Sequence, residues 1–152
     1  MYKHILIPTD GSDLSQQAIE HGIALAKAVG ARVTALTVTE PFYISAFEPS
    51  MVEHHKKHVA ALAAKHLDTA KNAASASSVP SEVVCLEHEH PYQAIIDAGQ
   101  ARGCDVIVMA SHGRKGISAI VLGSETVKVL THSPIPVVVV QRQKRSDYFA
   151  AS

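Results

Sequence analysis

Two runs in this chain, Val106-Ile107-Val108-Met109 and Val137-Val138-Val139-Val140, are apolar without interruption. A strand with one wet face alternates apolar and polar residues. An unbroken run instead needs cover on both faces, which a parallel sheet with helices on either side provides. The remaining segments agree with that demand. Strand-length segments are predicted at His4–Pro8, Arg32–Thr39, Glu82–Glu87, Asp105–Ala110 and Pro136–Val140. Between them Ala18, Ile19, Gly22, Ile23, Ala26 and Val29 recur at helical spacing, as do Val59, Leu62, Ala63, Leu67 and Ala70. Pro91 suits the first turn of a helix carrying Ile95, Ile96 and Ala98, and Ser133-Pro134-Ile135-Pro136 ends one helix and starts the last strand. The resulting βαβαβαβαβ order predicts an α/β chain, a doubly wound open sheet with right-handed crossovers.

In such sheets ligands bind beyond the carboxyl ends of the strands, where the winding reverses. Three segments leave strands at that end: Pro8-Thr9-Asp10-Gly11-Ser12, the turn after Val38, and the loop from Ala110 to Gly123. The last is the most chemical. Ala110-Ser111-His112-Gly113 is followed after nine residues by Gly123-Ser124-Glu125-Thr126, which opens a helical pattern. Glycine lets backbone approach an anion closely, and the free N–H groups of a helix N-terminus point at it. A phosphate, and hence a nucleotide, is the ligand this arrangement favours. Asp10 and Ser12 also suit a second task, capping the following helix with help from Gln16.

Bulk properties narrow the classes. At 152 residues the chain suits one substantial core, expected over 1–142, with a polar tail over 143–152. Fourteen basic residues balance fourteen acidic ones, so no basic face advertises nucleic acid. No apolar run approaches the roughly 18 residues that span a bilayer, and the N-terminus lacks the pattern of a secretory leader. A cytoplasmic protein without membrane or nucleic-acid partners is expected. Cys85 and Cys104 lie in or beside apolar runs and read as buried reduced thiols, with a disulfide or redox pair as the alternative. Pro41–Ser50 lacks a period, and Ala73–Ser78 reads as a small-residue stretch fraying toward Val79-Pro80.

The chain resembles the universal stress protein family over essentially its full length, from Lys3-His4-Ile5-Leu6-Ile7-Pro8-Thr9-Asp10-Gly11-Ser12 to Ile135-Pro136-Val137-Val138-Val139-Val140. The resemblance implies a five-stranded parallel sheet in the order 3-2-1-4-5, of the adenine-nucleotide α-hydrolase-like type, with helices on both faces. It also implies a homodimer built partly by the last strand, Val137–Val140. The family's ATP-binding branch carries glycine, two residues, glycine, nine residues, then glycine with serine or threonine. Gly113, Gly123 and Ser124 match this signature, whereas its first position is Ala110. Carried over residue by residue, Pro8, Thr9 and Asp10 would form one wall, Val38 would hold adenine, and Met109 and Ala110 would line the ribose side. Gly113, Gly123, Ser124 and Thr126 would meet the phosphates of ATP, with magnesium as the accompanying cation. His112, Arg114 and Lys115 read either as phosphate contacts or as a solvated loop.

Rival chemistries find less support. His54 and His58 stand four apart on one helix face with Glu53 and His55 beside them, but a closed zinc site needs about four ligands and a catalytic one about three. That cluster, and His88 and His90 around Glu89, read first as solvated surface. There is no Gly-x-Ser-x-Gly elbow and no Gly-Lys-Ser/Thr phosphate loop, so no dedicated hydrolase or kinase is expected. The resemblance points to an ATP-binding stress-response regulator or signalling module. A same-fold interaction protein with a lapsed site and a slow ATPase are the alternatives.

Overall fold

The computed structural model describes residues 1–41, 48–113 and 122–142. Nine elements alternate along the chain. They are β1 (His4–Pro8), α1 (Asp13–Val29), β2 (Arg32–Thr39), α2 (Pro49–Ala76), β3 (Ser81–Glu87), α3 (Pro91–Ala101), β4 (Val106–Ala110), α4 (Ser124–His132) and β5 (Val137–Val140). All neighbouring strands pair in parallel, in the order β3-β2-β1-β4-β5. This is the expected α/β sheet.

Period-two geometry divides the core between the two faces. Ile5, Ile7, Val33, Ala35, Val106 and Val108 join one cluster with Ile19, Ile23 and Ala26 of α1 and Leu67, Ala70 and Ala74 of α2. Leu6, Leu36, Ile107 and Met109 point the other way, packing with Ile95 and Ala98 of α3, Val129 of α4 and Ile135. The unbroken apolar runs therefore serve two cores at once. Burial of an Ile or Leu side chain here stabilises by about 1.5–3 kcal/mol. Two glycines let helices press onto β1 from opposite sides. A Cβ on Gly22 would stand 2.5 Å from Ile7 Cδ1, and one on Gly99 would stand 3.3 Å from Leu6 Cδ2 and 2.9 Å from Ile135 Cδ1.

Local chemistry sets the ends. Ser12 is the N-cap of α1, its hydroxyl accepting from Ser15 N at 3.2 Å, and Gly30 closes the helix in the left-handed region at φ 73°. Asp10 is not the cap; its Oδ1 accepts from Ser12 N at 2.9 Å and so orients the cap. Gln16 contributes its backbone N–H to Ser12 O. Asp105 falls outside β4 because its carboxylate accepts the backbone N–H groups of Lys3 and His4. Pro136 likewise precedes β5 rather than belonging to it, although its carbonyl accepts from Ile107 N.

Two expectations are corrected. The small-residue stretch that begins at Ala73 does not fray at once; it stays helical to Ala76, because Ala74 is fully buried against the sheet. Cys104 is buried, but Cys85 is exposed, since β3 is an edge strand in which no residue is fully buried. Among the described residues no helix is long and apolar enough to cross a membrane. Most of the aperiodic Pro41–Ser50 segment and the tail over 143–152 lie outside the described residues, while Pro49 and Ser50 open α2.

Candidate functional site

At the carboxyl ends of β1, β2 and β4 the structure has a cavity of about 450 Å³. Its lining includes all ten residues singled out from the sequence: Pro8, Thr9, Asp10, Val38, Met109, Ala110, Gly113, Gly123, Ser124 and Thr126. The winding reverses beside β1, since β2 and β4 flank it while α1 and α2 cover one face and α3 and α4 the other. That reversal opens the crevice.

The β1 loop is held by its own hydroxyls. Thr9 N donates to Leu36 O at 2.8 Å, and Thr37 Oγ1 donates to Thr9 O at 3.0 Å, so the loop continues the sheet pairing. Ser15 Oγ gives its proton to Ser12 O, which leaves Thr9 Oγ1 as donor in the 3.1 Å bond to Ser15 Oγ. Thr9 Oγ1 in turn accepts from Gly11 N at 3.3 Å. The Thr9 hydroxyl is thus spent on shaping the loop. Gly11 has φ +78°, and the His66 ring of α2 occupies the place its Cβ would take. Only glycine fits there.

The β4 loop is pinched at its neck. Gly123 N donates to Ser111 O at 2.7 Å, and Ser111 N donates to Val140 O at 2.9 Å. A Cβ on Gly123 would stand 3.0 Å from His112 Cα, and one on Gly113 would stand 2.5 Å from Asp10 Oδ2. The two glycines let three chain segments meet around one point. Gly123 is also the N-cap of α4, and among the described residues no side chain caps that helix. Its first N–H groups, at Ser124, Glu125 and Thr126, therefore belong to residues that line the cavity. The buried Thr126 hydroxyl donates to Ala110 O at 2.9 Å, which fastens α4 to the end of β4.

Sequence reasoning missed Ser15, Leu36, Glu40, Pro91, Ile95 and Glu125, and left His112 open; all of them line the cavity. Pro91 and Ile95 had a signal, since α3 starts at the same end of the sheet as the loops. Glu125 had none. Its Oε2 accepts from Tyr92 N at 2.8 Å, capping α3 from α4, and Lys128 Nζ lies 3.6 Å from its Oε1. His112 is buried, with Nδ1 bonded to Ser111 Oγ at 3.2 Å. Arg114 and Lys115 lie outside the described residues.

The lining is apolar on the side of β2 and α3, where Leu36, Val38, Pro91 and Ile95 stand. It is polar toward the start of α4. Asp10, Glu40 and Glu125 bring three carboxylates, of which Glu125 pairs with Lys128, and among the described residues no lysine or arginine lines the cavity itself. The histidines elsewhere do not assemble a rival centre. His54, His55 and His58 line a separate surface hollow with Ser50 and Met51, and among the described residues no three His, Cys, Asp or Glu side chains are placed to hold a metal ion. His88 Nδ1 accepts from His90 N, and His90 is the N-cap residue of α3.

A model of the universal stress protein family matches residues 1–141. The chain belongs to that family. Universal stress protein MJ0531 of Methanocaldococcus jannaschii is 32% identical over 95% of this chain and 85% of its own length. The solved structure of protein MJ0577 from the same organism superposes with a TM-score of 0.82 at 28% identity, covering 95% of this chain and 99% of the other. Two more distant family structures share the fold. One is in complex with cAMP, with a TM-score of 0.73 at 23% identity over 93% and 99% of the two chains. The other, from Archaeoglobus fulgidus, is in complex with dAMP, with a TM-score of 0.61 at 18% identity over 91% and 98%.

Proposed function

We propose that this universal stress protein binds an adenine nucleotide, ATP with magnesium, in the cavity between the ends of β1, β2 and β4, and works as a nucleotide-dependent regulatory module. One observation carries the reading: one cavity of about 450 Å³ joins an apolar side to a helix N-terminus that no side chain among the described residues caps, beside two glycines at close approaches. A flat base suits Leu36, Val38 and Ile95, and phosphate oxygens suit the N–H groups of Gly113, Ser124 and Thr126. In this reading Asp10, which lines the cavity, accepts a ribose hydroxyl. Magnesium is the natural companion of the ATP phosphates, whose oxygens with one or two carboxylates make its usual ligand set, and Asp10 and Glu40 line the same cavity. Relatives of the same fold in complex with cAMP and dAMP support the adenine assignment.

A dimer through β5 fits the same picture. Val137–Val140 form an edge strand of four half-buried valines, and pairing with a second copy would cover it.

One observation favours a second reading, a lapsed site. Ala110 lines the cavity where the family signature has glycine, so a methyl stands at the end of β4. Calorimetric titration of ATP with magnesium into nucleotide-stripped protein, repeated with AMP, separates the two. Saturable one-to-one binding at micromolar strength supports the nucleotide module. Folded protein that gives no heat at either of two temperatures supports the lapsed site.

A further inference from the structure

At the amino end of the sheet, opposite the cavity, a closed circuit of hydrogen bonds surrounds a buried histidine. Arg102 O lies 3.1 Å from His4 Nδ1, and His4 Nε2 lies 2.6 Å from Thr34 Oγ1. Thr34 Oγ1 donates to Glu82 Oε1 at 2.9 Å, and Arg102 Nη1 donates to the same oxygen at 3.0 Å. His4 is 3% exposed and Thr34 fully buried, while the Glu82 side chain is 48% exposed. The circuit ties β1, β2, the edge strand β3 and the turn after α3 to one another.

Counting protons decides what the circuit can do. A carbonyl only accepts, so His4 Nδ1 carries a proton toward Arg102 O. The carboxylate of Glu82 also only accepts, so the one hydroxyl proton of Thr34 points at it. Thr34 Oγ1 can then only accept from Nε2. All four bonds are made together only when both ring nitrogens carry protons. In the neutral ring Nδ1 keeps its proton, and bare Nε2 would face a Thr34 lone pair at 2.6 Å unless the hydroxyl turns toward it. Thr34 then leaves Glu82 to Arg102 alone.

We propose that His4, Thr34 and Glu82 form a proton wire that joins a buried histidine to solvent and switches whether Thr34 also holds the edge strand β3. On deprotonation the Nε2–H bond breaks as a new Oγ1–H bond forms on Thr34. The hydroxyl's original proton passes to Glu82 Oε1 and from there to water. One proton has left; the ring is neutral, the Thr34 hydroxyl points at Nε2, and Glu82 is a carboxylate again. With His4 charged, Thr34 ties β2 both to β1 and to the edge strand β3. With His4 neutral, Thr34 ties β2 to β1 and the amino end of β3 is held less firmly.

The surrounding charges set where this happens. Arg32 of β2 opposes the imidazolium, whereas Glu82 of β3, the Arg102 carbonyl and Asp105 ahead of β4 favour it. Arg102 is also paired with Glu82, and Cys104 lies at the same end as a neutral thiol. Burial is the largest influence, and with Arg32 it holds His4 below the ordinary 6.5. The switch therefore operates on the acid side of neutrality.

Long-range ¹⁵N–¹H spectra of the His4 ring, recorded on the full chain from about pH 5 to about pH 8, test the wire. Above the titration the neutral ring should be wholly in the Nδ1–H form, with a pyridine-like Nε2. A ring found in the Nε2–H form overturns the proposal. Thr34→Val keeps the volume and removes the relay, and should move the His4 midpoint further down. Glu82→Gln, a half-exposed change that leaves the core intact, should move it the same way. A purely structural role for Thr34 would change stability without moving the tautomer or the midpoint, and an unmoved midpoint in the folded Thr34→Val variant overturns the wire.

Discussion

Gly113→Ala adds one methyl against Asp10 in the lining of the proposed nucleotide site. Gly113 is not among the glycines with positive φ (Gly11, Gly30 and Gly103), so alanine fits its backbone. The new Cβ would stand 2.5 Å from Asp10 Oδ2, against 3.4 Å for ordinary contact, so the carboxylate must retreat by about 0.9 Å. Asp10 Oδ1 holds Ser12 N at 2.9 Å, and a shift of that size stretches the bond beyond useful range. Losing it costs about 0.5–1.5 kcal/mol of stability. Replacing glycine by alanine returns about 0.4–1 kcal/mol by restricting the unfolded chain. The two nearly cancel, and the melting temperature should move by no more than about 4 °C. Affinity should not be spared. The displaced Asp10 carboxylate and the added methyl both stand in the proposed site, and ATP should bind at least about tenfold more weakly, equivalent to about 1.4 kcal/mol. Titration calorimetry beside thermal unfolding reads both quantities on one preparation. A variant that binds within about twofold of wild type at an unchanged melting temperature would show that neither Gly113 nor Asp10 faces the ligand.

Three further outcomes follow from the geometry. Urea midpoints should fall as pH drops below about 6.5, because the folded chain holds His4 below its unfolded value and so binds fewer protons than the unfolded chain in that window. A second fall belongs below about pH 4.5. Glu82 is held down chiefly by the Thr34 hydroxyl, and Asp105 by the backbone N–H groups of Lys3 and His4, which outweigh its burial; both contributions are present above the unfolded values and lost as acid protonates the folded groups. A midpoint unchanged between about pH 7.5 and about pH 5.5 would contradict the His4 assignment. Ellman's reagent should titrate one thiol per native chain and two in denaturant, since Cys85 is exposed while burial, then Asp105 and Glu82, push the Cys104 thiol up to about 11; two fast native thiols would refute the burial of Cys104. Ser12→Ala should cost about 0.5–2 kcal/mol in chemical denaturation through the lost cap, and a cost near zero would mean that Asp10 or water replaces it.

Much of this fold was legible one residue at a time. Val106–Met109 and Val137–Val140 demanded cover on both faces, and the period of Ile5, Leu6 and Ile7 against that of Ala18, Gly22 and Ala26 separated strand from helix. Where reading along the chain failed, a neighbour distant in sequence was responsible. Asp105 leaves its strand because Lys3 and His4 claim its carboxylate, and Ala74 stays helical because the sheet lies beneath it. Cys85 is exposed because β3 lies at an edge. The glycines and hydroxyls around Gly113 and Gly123 were visible in the sequence because the closeness of backbone to backbone is written in residue type. Glu125 over the start of α3, His66 against Gly11 and the circuit through His4 were not. Each depends on which side chains a crossover brings together across 20 or more residues, and contacts of that span leave no period in the chain. The sequence by itself determined the elements, their faces and the loops that line the cavity. Tertiary structure alone decided their partners, because a hydrogen bond or a close contact is a property of two residues and the space between them.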